Sequence, residues 1–132
     1  MVSERFQKAL DKMMEYQPKD NPDIASHTKL IEYYEDLAPD LPNLIVEFPF
    51  GDIYSRPALD KKQQALVTIS GLTAFGTEPQ LELHINTGFN VGLTKDQVVG
   101  AIIHLIPYVG YPKCLNALTL VKKVLAERDD VE

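Results

Sequence analysis

The sequence predicts an all-α fold, a single-domain helical bundle, from three observations. Apolar residues recur at three- and four-residue spacing, helix-capping residues precede several of these runs, and no pair of alternating strands joined by a tight turn occurs. The length of 132 residues is the usual size of one domain. We therefore expect one domain over residues 1–132, with N-terminal helices at 3–48 and a core at 50–127.

The N-terminal part is expected to contain two helices and a short helical turn. Apolar spacing predicts a first helix over 3–16 and a second over 26–37, which must end before Pro39. The segment 41–50 is short and apolar, and its helical neighbours favour a helical turn over a strand. His27, at the start of the second helix, is expected on the surface and has no predicted role.

The C-terminal part contains stronger helix-start and helix-stop patterns. Asp60 with Gln63, and Thr94 with Gln97, have the spacing of a capping box at a helix start. Gly76 stands where a left-handed residue commonly ends a helix. The predicted helices cover 61–75, 79–91, 95–107 and 112–127.

Helix 95–107 is apolar nearly all round, so most of its faces must be covered. A chain of this size has little material for that purpose, and we therefore predict a homo-oligomer in which this helix contributes to a subunit interface. Central burial within one chain is the alternative.

Charge and cysteine content exclude several classes of partner. Thirteen basic and nineteen acidic residues give 13 − 19 = −6, a net charge that disfavours nucleic acid and anionic membranes. No apolar run approaches the ~20 residues that cross a bilayer, and residues 1–16 lack the apolar centre of a signal peptide. Cys114 is the single cysteine, so an internal disulfide is impossible. We expect a cytoplasmic protein without nucleic-acid or membrane partners.

An ordered set of short motifs covers residues 50–118. It consists of Phe50-Gly51-Asp52-Ile53-Tyr54-Ser55-Arg56-Pro57, Leu66-Val67-Thr68-Ile69, Leu81-Glu82-Leu83-His84, Gly92-Leu93-Thr94, Tyr108-Val109-Gly110-Tyr111-Pro112 and Asn116-Ala117. In this order the motifs resemble the carboxymuconolactone decarboxylase family of the alkylhydroperoxidase-like superfamily, and their pattern is most similar to gamma-carboxymuconolactone decarboxylase.

This resemblance implies an all-helical fold of the alkylhydroperoxidase and carboxymuconolactone decarboxylase type, assembled into rings that are often hexamers, as a trimer of dimers. It also implies a cofactor-free lyase reaction, the loss of carbon dioxide from a small carboxylated lactone such as 4-carboxymuconolactone or a related acid. The expected partner is thus a small-molecule carboxylate substrate, and no cofactor is expected.

The chain also departs from its superfamily. Thr77 and Gln80 stand where alkylhydroperoxidases have their Cys-x-x-Cys pair, so dithiol peroxidase chemistry is not expected. Gly100 and His104 stand where decarboxylases more commonly have glutamate and glutamine. Three alternatives therefore stay open: a non-catalytic or differently specific oligomeric scaffold, a non-dithiol oxidoreductase, and thiol chemistry through Cys114 alone.

Cofactor-free decarboxylation needs an electron sink, a group that orients the carboxylate, and a proton source. His84 is the predicted catalytic proton donor, with a neutral structural histidine as the alternative. Arg56 is the predicted catalytic anchor for a carboxylate, with a surface ion pair to Asp52 as the alternative.

Four further residues are predicted to bind substrate, namely Tyr54, Tyr108, Tyr111 and His104. The tyrosines could donate hydrogen bonds to a developing enolate, or could be core residues with a wet hydroxyl. His104 lies between apolar residues, and a buried structural histidine is its alternative role. No His-x-x-x-His or Glu-x-x-His pattern occurs, so no metal site is predicted.

Overall fold

The protein consists of helices joined by short connections. The computed structural model describes residues 3–19 and 24–131. Within these residues no strand occurs, which confirms the all-α prediction. The elements are α1 (Glu4–Met14), α2 (His27–Tyr34), α3 (Leu41–Val46), a π-helix (Glu47–Ile53), α4 (Lys61–Phe75), α5 (Glu78–Asn90), α6 (Lys95–His104), α7 (Ile106–Val109) and α8 (Tyr111–Glu127).

The capping residues begin and end α4 and begin α6 as predicted. The Asp60 side chain accepts a hydrogen bond from the Gln63 N–H at 2.8 Å, and the Gln63 side chain accepts one from the Asp60 N–H at 3.0 Å. Thr94 and Gln97 form the same reciprocal pair at the start of α6. Gly76, at φ 73°, ends α4 in the left-handed conformation that glycine adopts without steric cost. Both capping boxes are therefore confirmed.

The predicted helix 95–107 is interrupted before Pro107. Proline has no N–H, and its ring clashes with the carbonyl four residues earlier, here that of Ile103. The helix therefore tightens, and the Leu105 N–H donates to the Ile102 carbonyl at 3.0 Å, a 3₁₀-type bond. The short α7 follows, so the prediction of one continuous helix over 95–107 was wrong in its last turn.

The segment 41–50 forms more regular structure than a single turn, because α3 continues into the π-helix. The Tyr54 N–H donates to the Pro49 carbonyl at 2.7 Å, the five-residue bond that defines this helix type. Phe50, within the π-helix, is buried, and its ring centroid lies 4.5 Å from that of Tyr54 and 5.8 Å from that of Tyr16. The π-helix thus joins two aromatic side chains into one cluster.

Within residues 3–19 and 24–131, the core consists of two hydrophobic clusters. The larger lies between α4, α5, α6 and α8, where full burial of one Ile or Val side chain contributes about 1.5–3 kcal/mol. The smaller joins α1 to α3 and the π-helix and consists of Ala9, Met13, Tyr16, Val46 and Phe50. Val91, after the end of α5, packs against both clusters.

Several large apolar residues near α6 and α7 stay on the surface of the chain. Val98 and Ile102 of α6 are buried, whereas Ile103 is 50% exposed. Tyr108 and Tyr111, which follow, are 76% and 64% exposed. One face of this apolar helix is thus covered within the chain and another face is not. None of the helices in the described ranges is long and apolar enough to cross a membrane.

Candidate functional site

A cavity of about 420 Å³ lies where α2, α3, the π-helix and α5 meet. Its wall is mainly aliphatic and aromatic, with a small number of polar groups, as is typical of small-molecule sites. The lining residues are His27, Leu30, Tyr34, Leu41, Ile45, Pro49, Phe50, Tyr54, Gln80 and His84.

His84 enters this cavity from α5, together with Gln80 one turn earlier on the same helix face. Burial lowers the pKa of His84 from 6.5 to about 4, so its imidazole is neutral at pH 7. By the motif resemblance, Gln80 stands at one of the two positions at which alkylhydroperoxidases carry a redox cysteine. In this chain the position supplies a neutral amide that can donate or accept a hydrogen bond.

His27 also lines the cavity, and its predicted surface position was wrong. The residue is only 5% exposed, although it begins α2 directly after the N-cap Ser26. Its ring makes edge-to-face contacts with Phe50, at 4.9 Å between centroids, and with His84, at 5.1 Å. Burial occurs because His27 shares the apolar stripe of α2 with Leu30, which also lines the cavity. That spacing was visible in the sequence and could have placed His27 on the inner face.

The two imidazoles form a neutral pair. Burial, with a further contribution from His84, lowers the pKa of His27 from 6.5 to about 3. The Nδ1 atom of His27 is buried and has no hydrogen-bond partner in the described part of the protein. Buried polar atoms are nearly always hydrogen-bonded, so this nitrogen is an exception that calls for a functional explanation.

Tyr54 lines the cavity from the end of the π-helix and is held there through its backbone. The Tyr16 hydroxyl donates to the Gln64 side-chain oxygen at 2.7 Å, and the Gln64 amide donates to the Tyr54 carbonyl at 3.0 Å. Burial raises the pKa of the Tyr54 phenol, which keeps the hydroxyl protonated and able to donate.

Arg56 lies in the wall of a second, neighbouring cavity of about 310 Å³. Tyr54 lines both cavities, but His84 does not line the second one. The alternative ion pair with Asp52 is not formed, because Asp52 accepts from Arg5 at 2.8 Å. The structure therefore places the predicted anchor and the predicted proton donor in two different cavities that have Tyr54 in common.

The other three predicted substrate-binding residues lie on the exposed apolar surface near α6 and α7. Tyr108, Tyr111 and His104 are all exposed, and none of them lines either of these cavities. The alternative role of His104 as a buried structural histidine was wrong, because this residue lies away from the buried face formed by Val98 and Ile102. Its ring contacts that of Tyr108 at 5.8 Å.

The single thiol lies in the core. Cys114 is fully buried on α8, which removes the exposed thiol that chemistry through this residue alone requires. Within residues 3–19 and 24–131, no group of three or more His, Cys, Asp or Glu side chains is arranged to hold a metal ion.

Comparison with known proteins places these features in a family. The sequence profile of the carboxymuconolactone decarboxylase family matches residues 39–123. Over 97 residues the chain is 35% identical to the 4-carboxymuconolactone decarboxylase of Acinetobacter baylyi, a match that covers 74% of this chain and 72% of that protein.

Two further relatives are similar. A nitrosuccinic acid decarboxylase of Metarhizium robertsii is 31% identical over 87 residues, which are 66% of this chain and 61% of that protein. An uncharacterized 15.0 kDa protein from the nqo9–nqo10 intergenic region of Paracoccus denitrificans is 33% identical over 98 residues, which are 73% of each chain. The profile match and the identities show that this chain belongs to the carboxymuconolactone decarboxylase family.

Proposed function

We propose that this protein is a cofactor-free carboxy-lyase that removes carbon dioxide from a small carboxylated lactone or a related acid. The observation that carries the proposal is a partly buried imidazole, His84, in a mainly apolar cavity of a decarboxylase-family chain. Two relatives are named as decarboxylases, one of 4-carboxymuconolactone and one of nitrosuccinic acid. Both names denote small carboxylated molecules, which supports the substrate class.

The cavity favours this reaction because charge is lost at the carboxylate. The carbon–carbon bond breaks, carbon dioxide departs as a neutral molecule, and the electron pair moves toward a conjugated lactone carbonyl or a similar sink. An apolar wall disfavours the initial carboxylate more than the neutral product. The substrate carbon that then holds the electron pair must receive a proton, and His84 is the proposed donor.

Three other side chains are proposed to orient the substrate. Tyr54 and Gln80 line the His84 cavity and can donate hydrogen bonds to the carbonyl oxygen on which negative charge develops. Arg56 is the proposed anchor for a carboxylate in the neighbouring cavity, which Tyr54 also lines. In the described ranges its guanidinium forms no ion pair, whereas Arg5 and Arg128 are each bonded to a carboxylate.

We also propose a homo-oligomer, a ring of the hexameric type as a trimer of dimers, in the cytoplasm. The exposed surface formed by Ile103, Tyr108 and Tyr111 would be the subunit contact. The proposed substrate-binding role of His104, Tyr108 and Tyr111 would then be exercised across this contact. Light scattering after size-exclusion chromatography tests the assembly, and Ile103→Asp should reduce the measured mass.

The test of the reaction is a spectrophotometric assay with 4-carboxymuconolactone, without added metal or thiol. His84→Ala is expected to lower kcat by at least about 100-fold, the usual contribution of a general acid. Gln7→Ala is the control, because it shortens an exposed side chain on α1 that lines neither cavity. Unchanged turnover in His84→Ala would contradict the assigned role.

If 4-carboxymuconolactone is not converted, nitrosuccinate and other small carboxylates are the next substrates to assay. Binding of such acids without release of carbon dioxide would instead support a non-catalytic or differently specific oligomeric scaffold.

A further inference from the structure

We propose that His27 is the second imidazole of the site, and that His27 and His84 together take up one proton from solvent when a small carboxylate enters their cavity. This inference rests on the proposed function and deepens it, because the proton taken up on binding is the proton that decarboxylation consumes. Residue 27 lies outside the range 39–123 matched by the family profile, so the profile match does not imply this role.

The geometry places both rings in one cavity. His27 comes from α2 and His84 from α5, and their centroids are 5.1 Å apart with an angle of 72° between the ring planes. A carboxylate bound beside one ring is therefore within a few ångströms of the other. His27 is nine-tenths buried, which leaves the cavity as its route to a ligand.

The unpartnered Nδ1 of His27 favours a polar ligand in this place. A buried nitrogen without a hydrogen bond is unfavourable, and a carboxylate in the cavity can accept a hydrogen bond from it once the His27 ring turns this nitrogen toward the cavity. Phe50 blocks another side of the ring by edge contact at 4.9 Å and supplies no hydrogen-bond partner.

The charges around the pair determine how many protons enter. Besides the two histidines, the titratable residues in the lining are Tyr34 and Tyr54, and Gln80 is a neutral amide. Among the described residues, none of those that line the cavity is a carboxylate, a lysine or an arginine, so a bound carboxylate would bring an anionic charge into this wall.

Burial lowers the pKa values of the two imidazoles. A bound carboxylate has the opposite effect, because a nearby negative charge favours the imidazolium form. Repulsion between two cations at this separation disfavours a second proton. We therefore expect one proton for each bound carboxylate.

The chemical balance agrees with this number. A carboxylate and one proton yield carbon dioxide and a new carbon–hydrogen bond. The bond to the carboxyl carbon breaks, and that carbon leaves as carbon dioxide. The electron pair of the bond stays on the remaining substrate, and the imidazolium gives its proton to the substrate carbon that holds this pair. Both histidines are neutral again when the product leaves, so no additional proton donor or oxidant is needed.

The experiment measures proton uptake during binding of paraconate, a saturated lactone carboxylate that lacks the conjugated sink for decarboxylation. Isothermal titration calorimetry at pH 7 in two buffers of different ionisation enthalpy gives the number of protons bound with each ligand. The expected number for the unmodified protein is close to one. Proton NMR should show the ring C2–H signals of His27 and His84 shifting toward the imidazolium position.

His27→Asn keeps a polar side chain but cannot take up a proton, and it is expected to weaken paraconate binding by about 10-fold or more, the value of one charged hydrogen bond. Gln7→Asn, an exposed change on α1 outside both cavities, is the control and should bind as the unmodified protein does. The double variant His27→Asn/His84→Asn should show no proton uptake. Circular dichroism of each variant establishes that it is folded, and His27→Gln provides a second, longer amide if the asparagine variant is not.

Several results would overturn this inference. These are paraconate binding without proton uptake, unchanged binding by folded His27→Asn or His27→Gln, or no binding at millimolar paraconate. The proposed function fails in a different way. If paraconate binds with one proton but no carbon dioxide is released from any carboxylate assayed, the histidine pair is retained as an anion site and the lyase assignment is lost.

Discussion

Helix α5 contributes to two buried polar groups that differ in how they are satisfied. At its C-terminal end, the buried Arg128 side chain donates to Asn86 Oδ1 at 3.0 Å and to Asn90 Oδ1 at 2.9 Å, and it pairs with Asp130 at 2.8 Å. In the other group, His84 faces His27, whose Nδ1 has no partner within the described residues.

This difference distinguishes a group that holds the fold from a group that can bind a ligand. The Arg128 cluster joins the chain after α8 to α5, and its hydrogen bonds are made entirely within the protein. Removal of one partner of a buried, fully hydrogen-bonded cation such as Arg128 lowers the free energy of unfolding strongly. Removal of a neutral histidine whose nitrogen has no partner breaks no hydrogen bond at that atom and should change stability little. The Arg128 cluster should therefore govern stability, and the histidine pair should govern binding.

The largest expected effect on stability is that of Arg128→Met. The change removes the cation and leaves the side-chain oxygens of Asn86 and Asn90 without their donor, which should lower the free energy of unfolding by about 3 kcal/mol. Urea denaturation measures this loss. Arg5→Met is the control, because its pair with Asp52 is exposed and should contribute at most about 1 kcal/mol. Equal losses in the two variants would remove the distinction.

The second prediction concerns pH and applies to the histidine pair. The pKa of each imidazole is lower in the folded state, about 3 for His27 and about 4 for His84, than its ordinary value of 6.5. The unfolded chain therefore binds more protons below pH 6.5, and stability must fall as the pH falls from there toward 4.

The free energy of unfolding should fall by up to about 1.4 kcal/mol for each pH unit and each imidazole. Denaturation at pH 7 and pH 5 tests it, by comparison of the unmodified protein with His27→Asn and with the exposed control His104→Asn. If His27→Asn did not reduce the dependence of the unfolding free energy on pH, His27 would not be a buried neutral histidine in the folded protein.

A smaller effect, of opposite sign to that of Arg128→Met, is expected for His27→Leu at pH 7. Leucine has a similar volume and replaces an unpartnered polar atom with apolar contact to Phe50, so the free energy of unfolding should stay unchanged or rise by about 1 kcal/mol. Thermal unfolding measures the change. A loss of stability as large as that of Arg128→Met would show that His27 has a structural partner.

The smallest effect should follow from Asp130→Asn. Its bond to Arg128 lowers the pKa of Asp130, but the carboxylate is largely exposed and its charge is screened by solvent. The expected loss of unfolding free energy at pH 7 is about 0.5 kcal/mol. Because the pKa is lowered in the folded state, this contribution exists above the ordinary value of 3.8 and disappears at lower pH. A loss that persists at pH 2 would have another cause.

The sequence predicted much of the helical structure because the relevant interactions are local. Asp60 and Thr94 bond to residues three positions away, and the left-handed Gly76 needs only its own missing side chain. Such features can be recognised without knowledge of the tertiary fold. The interruption before Pro107 was equally local, and the residue that causes it was visible within the predicted helix.

The candidate site could be predicted only in part, because its residues meet through tertiary contacts. His84 was found through its motif, whereas His27 lies on another helix and no local pattern links the two rings. Arg56 and His84 were predicted to act on one substrate, as anchor and as proton donor. That they line two cavities with Tyr54 in common depends on the π-helix and on Gln64, which hold Tyr54 in place. Short-range spacing contains no information on such packing.

The buried Cys114 makes the protein its own reporter of conformational opening. Cys114 is the single thiol in the sequence, and its side chain on α8 is fully buried in the larger hydrophobic cluster. A thiol reagent can therefore modify it only during a transient opening of the structure. The modification rate under native conditions therefore measures how often the core between α8 and its neighbours becomes accessible, without denaturant. Any carboxylate that binds and stabilises the folded state should lower the modification rate of Cys114, whether or not the protein decarboxylates it.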